Sequence, residues 1–409
     1  MTPRQIMHID MNAFFAAIEQ QSHPALRGQP VAVVGSSQRT IILTASYEAR
    51  PFGVKTGMTL NEARQKCPAL QLVVANNRLY TEISRRIVAL FHHYTPQVQV
   101  FSIDEAFLDV SGSLKLFGSA ERIAQLIKAQ LKAHFGLRCS VGIAPNKLLA
   151  KLASEMQKPD GLTLIAPAQV AAVLEDLPIG ELCGIGRQTQ HKLEQLGIYT
   201  CGQLGRFSPR VLKSRFGVIG ERLVLMGQGV DNSPVLPQEE EPEVKTVGHS
   251  MTLKRDLEDR GEIARFLLQL AEMVGRRARR YGVSGRTITL TIRYADFSTF
   301  SRQQVQAQPV SQSEEIYRAA LRILDRLLLG QPVRLLGVRL SRLEYRTRQL
   351  LLLPEERRRQ QLTGALDEVN DRFGEFTLMS ASLLGVKGKG SHVISPAWRP
   401  EGIRNVGVD

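Results

Sequence analysis

In "QVFSIDEAFLDVSG" two carboxylates, Asp104 and Glu105, stand side by side between apolar, strand-like runs. Carboxylates about 4 Å apart at an effective dielectric of about 20 repel by about 4 kcal/mol, so the pair requires a positive partner. A metal ion is the simplest one. The flanking runs predict two adjacent strands that turn at Ile103 to Glu105 and carry both carboxylates to a hairpin tip. Asp10 ends another buried strand, "MHID". Three carboxylates on neighbouring strand ends suit Mg²⁺, which takes oxygen ligands in octahedral geometry and keeps water or phosphate oxygens. Two such ions would clamp the attacking and leaving oxygens of a phosphoryl transfer. An isolated Asp-Glu pair in a turn is ordinarily just solvated, so its neighbours in the sequence decide.

Those neighbours alternate strand-like and helix-like signals. "QIMHIDM" and "QPVAVVG" read as buried strands, and "NAFFAAIEQQ" as a helix that Asn12 can cap. "AERIAQLIKAQLKAHFG" puts Ile123, Leu126, Ile127 and Leu131 on one helical face, with Gly136 as its stop. "NKLLAKLASEMQKPDG" is a helix ending before Pro159. From about Ala166 the pattern is almost wholly helical, broken by glycines in "GIG", "LGI" and "FGVIG". "DNSPVLPQEEEPEV" reads as a linker, and a third unit follows it. There "RTITLTIRY" alternates Ile288, Leu290 and Ile292 with Thr287, Thr289, Thr291 and Arg293, and "VRLLGVRLSRLEY" is its partner strand. In the tail, Leu362, Leu366, Val369 and Phe373 share a helical stripe.

At 409 residues the chain exceeds one core, and the fold class expected is α+β multidomain. A net charge of +14 favours a polyanionic partner, nucleic acid ahead of membrane. No apolar run reaches the roughly 20 residues of a spanning helix, and the start lacks the order of a signal peptide, so a cytoplasmic protein is expected. Cys67, Cys139, Cys183 and Cys201 are scattered, which points to reduced thiols rather than a zinc site or disulfide framework.

Five stretches in order, "HIDMNAFFAAIE", "TASYEARPFGVKTGM", "FSIDEAFLDVSG", "CSVGIAPNKLLAKLASEMQKPDG" and "LCGIGRQTQHKLEQLGI", resemble the Y-family translesion DNA polymerases over about residues 5–345. The resemblance implies a right-hand polymerase: palm from 1–10 and 75–165, fingers 11–74, and a helical thumb with a helix-hairpin-helix at 166–233. A linker at 234–243, an α/β little finger at 244–345 and a tail at 346–409 complete it. It implies metal ligands at Asp10, Asp104 and Glu105 with the backbone carbonyl of Met11, the same carboxylates their chemistry singles out, and two Mg²⁺ ions. Asn12 stands where many relatives carry another Asp, a position not expected to bind metal.

For the incoming dNTP the resemblance implies Thr44, Tyr47 and Arg50, whose spacing would line them on one helical face, together with Lys158. Backbone N–H groups at Ala13, Phe14 and Phe15 open a helix and offer further anion contacts. Phe15 aligns with the family's steric gate against a ribose 2′-hydroxyl, and Phe14 is read as core. Gly184, Ile185 and Gly186 form the turn of the hairpin that approaches a DNA phosphate. Arg276, Arg277, Arg279, Arg280, Arg286 and Arg293 make the densest basic region. For "RRARR" a solvated charged helix is the bland alternative, whereas Arg286 and Arg293 are read as DNA contacts. Gln349, Leu350, Leu351, Leu352 and Leu353 resemble the motif that docks bacterial polymerases on the sliding clamp, ending in Leu rather than Phe.

The function expected is low-fidelity, template-directed DNA synthesis past damaged bases by a monomer on primer-template DNA, with no room for a proofreading domain. A non-catalytic accessory protein would have lost the carboxylates. A nucleotide cyclase would need neither the helix-hairpin-helix nor the basic charge.

Overall fold

The computed structural model describes residues 4–36, 39–237, 244–345 and 353–384. The chain opens with strand β1 (Ile6–Met11), buried along its whole length. A left-handed residue, Ala13 at φ 48°, leads into helix α1 (Phe14–Ser22). Strands β2 (Val31–Val34) and β3 (Ile42–Ala45), helix α2 (Leu60–Lys66) and strand β4 (Gln71–Val74) make a small unit with sheet order β3-β2-β4. A capping box starts α2: Thr59 Oγ1 accepts from the Glu62 N–H while the Glu62 carboxylate accepts from the Thr59 N–H.

Next come α3 (Asn77–Phe91), β5 (Val98–Val100), β6 (Glu105–Asp109), α4 (Leu114–Phe117), α5 (Ala120–Phe135), β7 (Cys139–Ala144), α6 (Lys147–Met156) and β8 (Leu162–Leu164). They complete a five-stranded sheet in the order β5-β6-β1-β7-β8, with β1 antiparallel to both neighbours. Two-residue alternation along β1 decides what each face holds. Met7, Ile9 and Met11 join Ile87, Ile123, Ile127 and Leu131 in one core beneath α3 and α5. Ile6 joins a second core with Leu149, Ala150 and Ala153 of α6, so Ile6, His8 and Asp10 look toward that helix. Gly142 of β7 lets α6 approach this closely, because a Cβ there would lie 2.1 Å from the Ala150 carbonyl.

Five helices follow: α7 (Val170–Glu175), α8 (Arg187–Glu194), α9 (Cys201–Arg206), α10 (Pro209–Phe216) and α11 (Ile219–Gly227). A four-stranded antiparallel sheet then forms from β9 (Thr246–Leu257), β10 (Val283–Tyr294), β11 (Thr299–Val310) and β12 (Val333–Tyr345), ordered β11-β10-β12-β9. Helices α12 (Arg260–Arg280) and α13 (Ser313–Asp325) cover one face, on which Ile288, Leu290 and Ile292 are buried as the alternation predicts. Helix α14 (Pro354–Phe373) and a short 3₁₀ turn at Ala381–Leu383 follow. Residues 238–243 of the expected linker lie outside the described residues, as do Gln349, Leu350, Leu351 and Leu352 of the clamp-like motif.

Three sequence readings change. Asn12 does not cap α1, because the left-handed Ala13 takes the cap position and its side chain is a methyl; Asn12 instead bonds Ser140 and Asp160. Thr44, Tyr47 and Arg50 do not share a helical face: Thr44 pairs with Val33 across β3 and β2, and Arg50 opens a short 3₁₀ turn. The arginines of "RRARR" are neither free for DNA nor solvated, since Arg276, Arg279 and Arg280 lie under α14 and Arg277 donates to the Gly248 carbonyl.

Candidate active site

Strand pairing alone sets Asp10 directly opposite Glu105 across β1 and β6. Asp104 belongs to the turn before β6. Its backbone carbonyl accepts from the Met11 N–H at 3.0 Å, locking the turn to the end of β1. Its carboxylate accepts from Ser102 Oγ at 2.6 Å. The carboxylate oxygens that come within 4.8 Å of one another belong to Asp10, Glu105 and Glu155, the last from the end of α6. Glu155 escaped the sequence reading. Its signal lay in "KLASEMQK", where Lys151 and Glu155 stand four apart on the helix that β1 packs against and Lys158 follows just past its end.

Two ammonium groups enter this oxygen cluster. Lys158 Nζ lies 2.9 Å from Asp10 Oδ2 and 2.7 Å from Glu155 Oε1, and Lys151 Nζ lies 2.5 Å from Glu105 Oε1. Asp10, Asp104, Glu105 and Glu155 thus outnumber their local cations. Burial, and then the hydrogen bond with Glu105, push the Asp10 carboxyl up to about 8 against the pull of Lys158. Burial also works on Glu105, but the bond from Asp10 and the Lys151 charge overcome it and hold that carboxyl below its usual range. Asp104 is raised by burial despite Ser102. Hard oxygen donors gathered at the end of a buried strand fit a divalent cation such as Mg²⁺.

A brace holds Lys158 in place. Lys128 Nζ donates to the carbonyls of Cys139, Asp160 and Gly161 at 2.7, 2.8 and 3.2 Å, and to Asp160 Oδ1 at 2.6 Å. Asn12 ties the same turn from the other side, accepting from the Asp160 N–H at 2.7 Å and donating to Ser140 Oγ. Neither role was visible in the sequence.

Phe14 is in the core, and Phe15 is half-buried beside it. The Phe15 ring stacks on Tyr80 of α3 with centroids 4.4 Å apart, and the Tyr80 hydroxyl donates to buried Glu19 of α1. Ala13, Phe14 and Phe15 stand at the N-terminal end of α1. The Arg50 guanidinium lies over the Tyr47 ring at 4.1 Å and donates to the Ala45 carbonyl.

Farther along, Gly184 adopts φ 101°, Ile185 is buried in the helical core and Gly186 starts α8. Arg293 lies with Thr287, Thr289 and Thr291 on the helix-free face of the four-stranded sheet, where it donates to Thr299 Oγ1. Register adds Arg339 opposite Thr289, a residue that the alternation of "VRLLGVRLSRLEY" could have revealed. Arg286 parts company with Arg293: it sits at a bulge, bonded to Glu344 and the Ala307 carbonyl.

The impB/mucB/samB family is matched by residues 9–155, its C-terminal domain by 244–352, and the thumb domain of DNA polymerase-iota by 180–231. A solved Y-family DNA polymerase chimera of Dbh and Dpo4 superposes with a TM-score of 0.74 at 27% identity, over 84% of this chain and 100% of that one. The chain belongs to the Y-family of DNA polymerases and is a DNA-directed DNA polymerase. Within the family it is similar to DNA polymerase IV of Pelotomaculum thermopropionicum, 43% identical over 92% of this chain and 94% of the relative. DNA polymerase IV of Moorella thermoacetica is 42% identical over 93% of this chain and 96% of its own length. Among the described residues no helix is long and apolar enough to cross a membrane.

Proposed function

We propose that this polymerase copies past damaged template bases with low fidelity and without proofreading, using two Mg²⁺ ions held by Asp10, Asp104, Glu105 and the Met11 carbonyl. The observation that carries the reading is the pairing of Asp10 with Glu105 at the end of a buried strand, beside Lys158. When bound, the ions supply charge neutralisation at the phosphates and acidify the primer hydroxyl. The protein's part is placement. β1 and β6 fix the carboxylates, and turning Asp104 from Ser102 would complete the set. Lys158 offers its ammonium to the triphosphate, joined by Thr44, Tyr47, Arg50 and the N–H groups of Ala13, Phe14 and Phe15. Phe15, backed by Tyr80, fills the space that a ribose 2′-hydroxyl would need.

In this reading residues 1–10 and 75–165 form the palm, 11–74 the fingers, 166–233 the thumb and 244–345 the little finger. Duplex DNA lies against the Gly184-Ile185-Gly186 turn and against the open sheet face carrying Arg293 and Arg339. The protein acts as a cytoplasmic monomer, and Gln349 to Leu353 dock the sliding clamp.

Primer extension on plain and abasic templates tests the reading, with wild type, Asp104→Ala and Phe15→Ala given deoxy- or ribonucleotides. Asp104→Ala is expected to lose about 10²- to 10³-fold in rate, as removal of a charge-stabilising group at a reacting centre does. Phe15→Ala should admit ribonucleotides. A wild type that binds primer-template yet extends neither template would reduce the protein to an accessory factor.

A further inference from the structure

Helix α12 carries four arginines toward its end, and the C-terminal segment occupies three of them, Arg276, Arg279 and Arg280. Arg279 takes Asp367 in a two-pronged grip, Nε to Oδ2 at 2.6 Å and Nη2 to Oδ1 at 2.7 Å. Arg276 and Arg280 share Asp371, and Glu375 lies 3.5 Å from Arg276. Beneath this cover the arginine side chains are only 10, 11 and 11% exposed.

The face that α14 presents is its polar one. Thr363 bonds Gln312, Asp367 and Asp371 hold the arginines, and Asn370 clasps the Leu378 backbone in both directions. Of its apolar residues, Leu362 is 61% and Phe373 64% exposed, while Leu366, at 37%, borders the groove between α14 and α12. A helix built permanently into a core turns its apolar stripe inward. Helix α14 itself is held chiefly by ion pairs, which are sensitive to salt, while Leu383 beyond it is fully buried. The ionic attachment is also incompletely satisfied: among the described residues Arg276 Nε is buried without a partner. The matched C-terminal family domain ends at residue 352, just before α14 begins.

We propose that residues 354–384 act as an internal mimic of a phosphate backbone, covering a second nucleic-acid contact surface formed by Arg276, Arg279 and Arg280. A guanidinium takes a carboxylate and a phosphate through the same planar fork, so Asp367 and Asp371 stand where phosphodiester oxygens would. The surface lies on the helical side of the four-stranded sheet, away from the face of Arg293. A nucleic-acid strand is the occupant that a DNA polymerase with a net charge of +14 meets at high local concentration. Binding there and undocking of α14 are therefore one exchange, in which an external polyanion displaces the internal one.

The test titrates a single-stranded oligonucleotide and a primer-template against the full chain by fluorescence anisotropy at several salt concentrations. Wild type, Asp367→Asn/Asp371→Asn, and that pair combined with Arg279→Gln/Arg280→Gln are compared. The paired asparagine variant should bind the oligonucleotide several-fold tighter, with the salt exponent steeper by about 2, three phosphate contacts contributing about 0.7 each. The added glutamines should abolish that gain. In the wild type, saturating oligonucleotide should speed amide exchange across 354–373, a readout that needs no variant. The proposal is overturned by unchanged affinity and slope with only a lowered melting temperature, which would make α14 a structural cap. A gain that survives the arginine replacements overturns it too, as does release of α14 by an acidic peptide but not by the oligonucleotide.

Discussion

Lys128 spends its three protons on four acceptors around a single turn, and that turn delivers Lys158 to Asp10. Lys128→Met should therefore leave the carboxylates in place but let the phosphate-binding ammonium drift. With misplacement by about 1 Å able to cost as much as 10²-fold, the KM for nucleotide should rise about 10-fold while kcat stays within about 3-fold, and Lys128→Arg should restore most of the loss. Single-nucleotide insertion kinetics check this; equal falls in kcat for Met and Arg would rule the brace out. Asp10 and Glu105 were legible in the sequence because charge inside apolar strand runs is costly and has to be explained. Glu155 was not, because a glutamate four residues after a lysine on a helix is the commonest kind of solvated pair. Asn12 was misread for a conformational reason. The left-handed Ala13 moves the helix start one residue along, and periodicity does not reveal a positive φ.

Periodicity served the elements that bury an apolar face. β10 kept its two-residue alternation, and α5 buried Ile123, Ile127 and Leu131. It failed for α14, whose inward face is set by three arginines on another helix rather than by its own leucines. It failed also for "TASYEAR", where pairing of Thr44 with Val33 extends the chain before the turn begins. A half-buried histidine on β9, His249, gives this scale its pH dependence. Burial, and then the Arg277 charge, lower His249 from 6.5 to about 4, so the fold holds it neutral. The unfolded chain binds more protons between those values, so the stabilisation is complete above about pH 6.5 and is lost as the pH falls toward 4. The loss should reach on the order of 2–3 kcal/mol. Urea midpoints for wild type and His249→Gln measure it: the wild-type advantage should shrink as pH drops, and parallel curves would exclude His249 as the source.

At the scale of the whole molecule, an ion pair between Arg39 and Asp256 links the small three-stranded unit to the four-stranded one. Arg39 Nη1 and Nη2 reach the two oxygens of Asp256 at 2.6 and 3.2 Å, Arg39 also donates to the Leu253 carbonyl, and Arg334 lies 3.9 Å from the same carboxylate. With Arg39 30% and Asp256 24% exposed, the pair is worth about 0–1 kcal/mol, too little to matter for global stability. Its leverage is geometric, since units joined by small polar contacts move relative to each other unless something holds them. Arg39→Ala should therefore leave the melting temperature within about 2 °C of wild type, given that about 1 kcal/mol shifts a domain of this kind by only a few degrees. The same variant should broaden the distance distribution between dyes placed on the two units, read by single-molecule energy transfer. Raising salt to about 1 M, where the screening length falls to about 3 Å, should make the wild type resemble the variant. If wild type and Arg39→Ala give one distribution at low salt, the two units are held by something other than this pair.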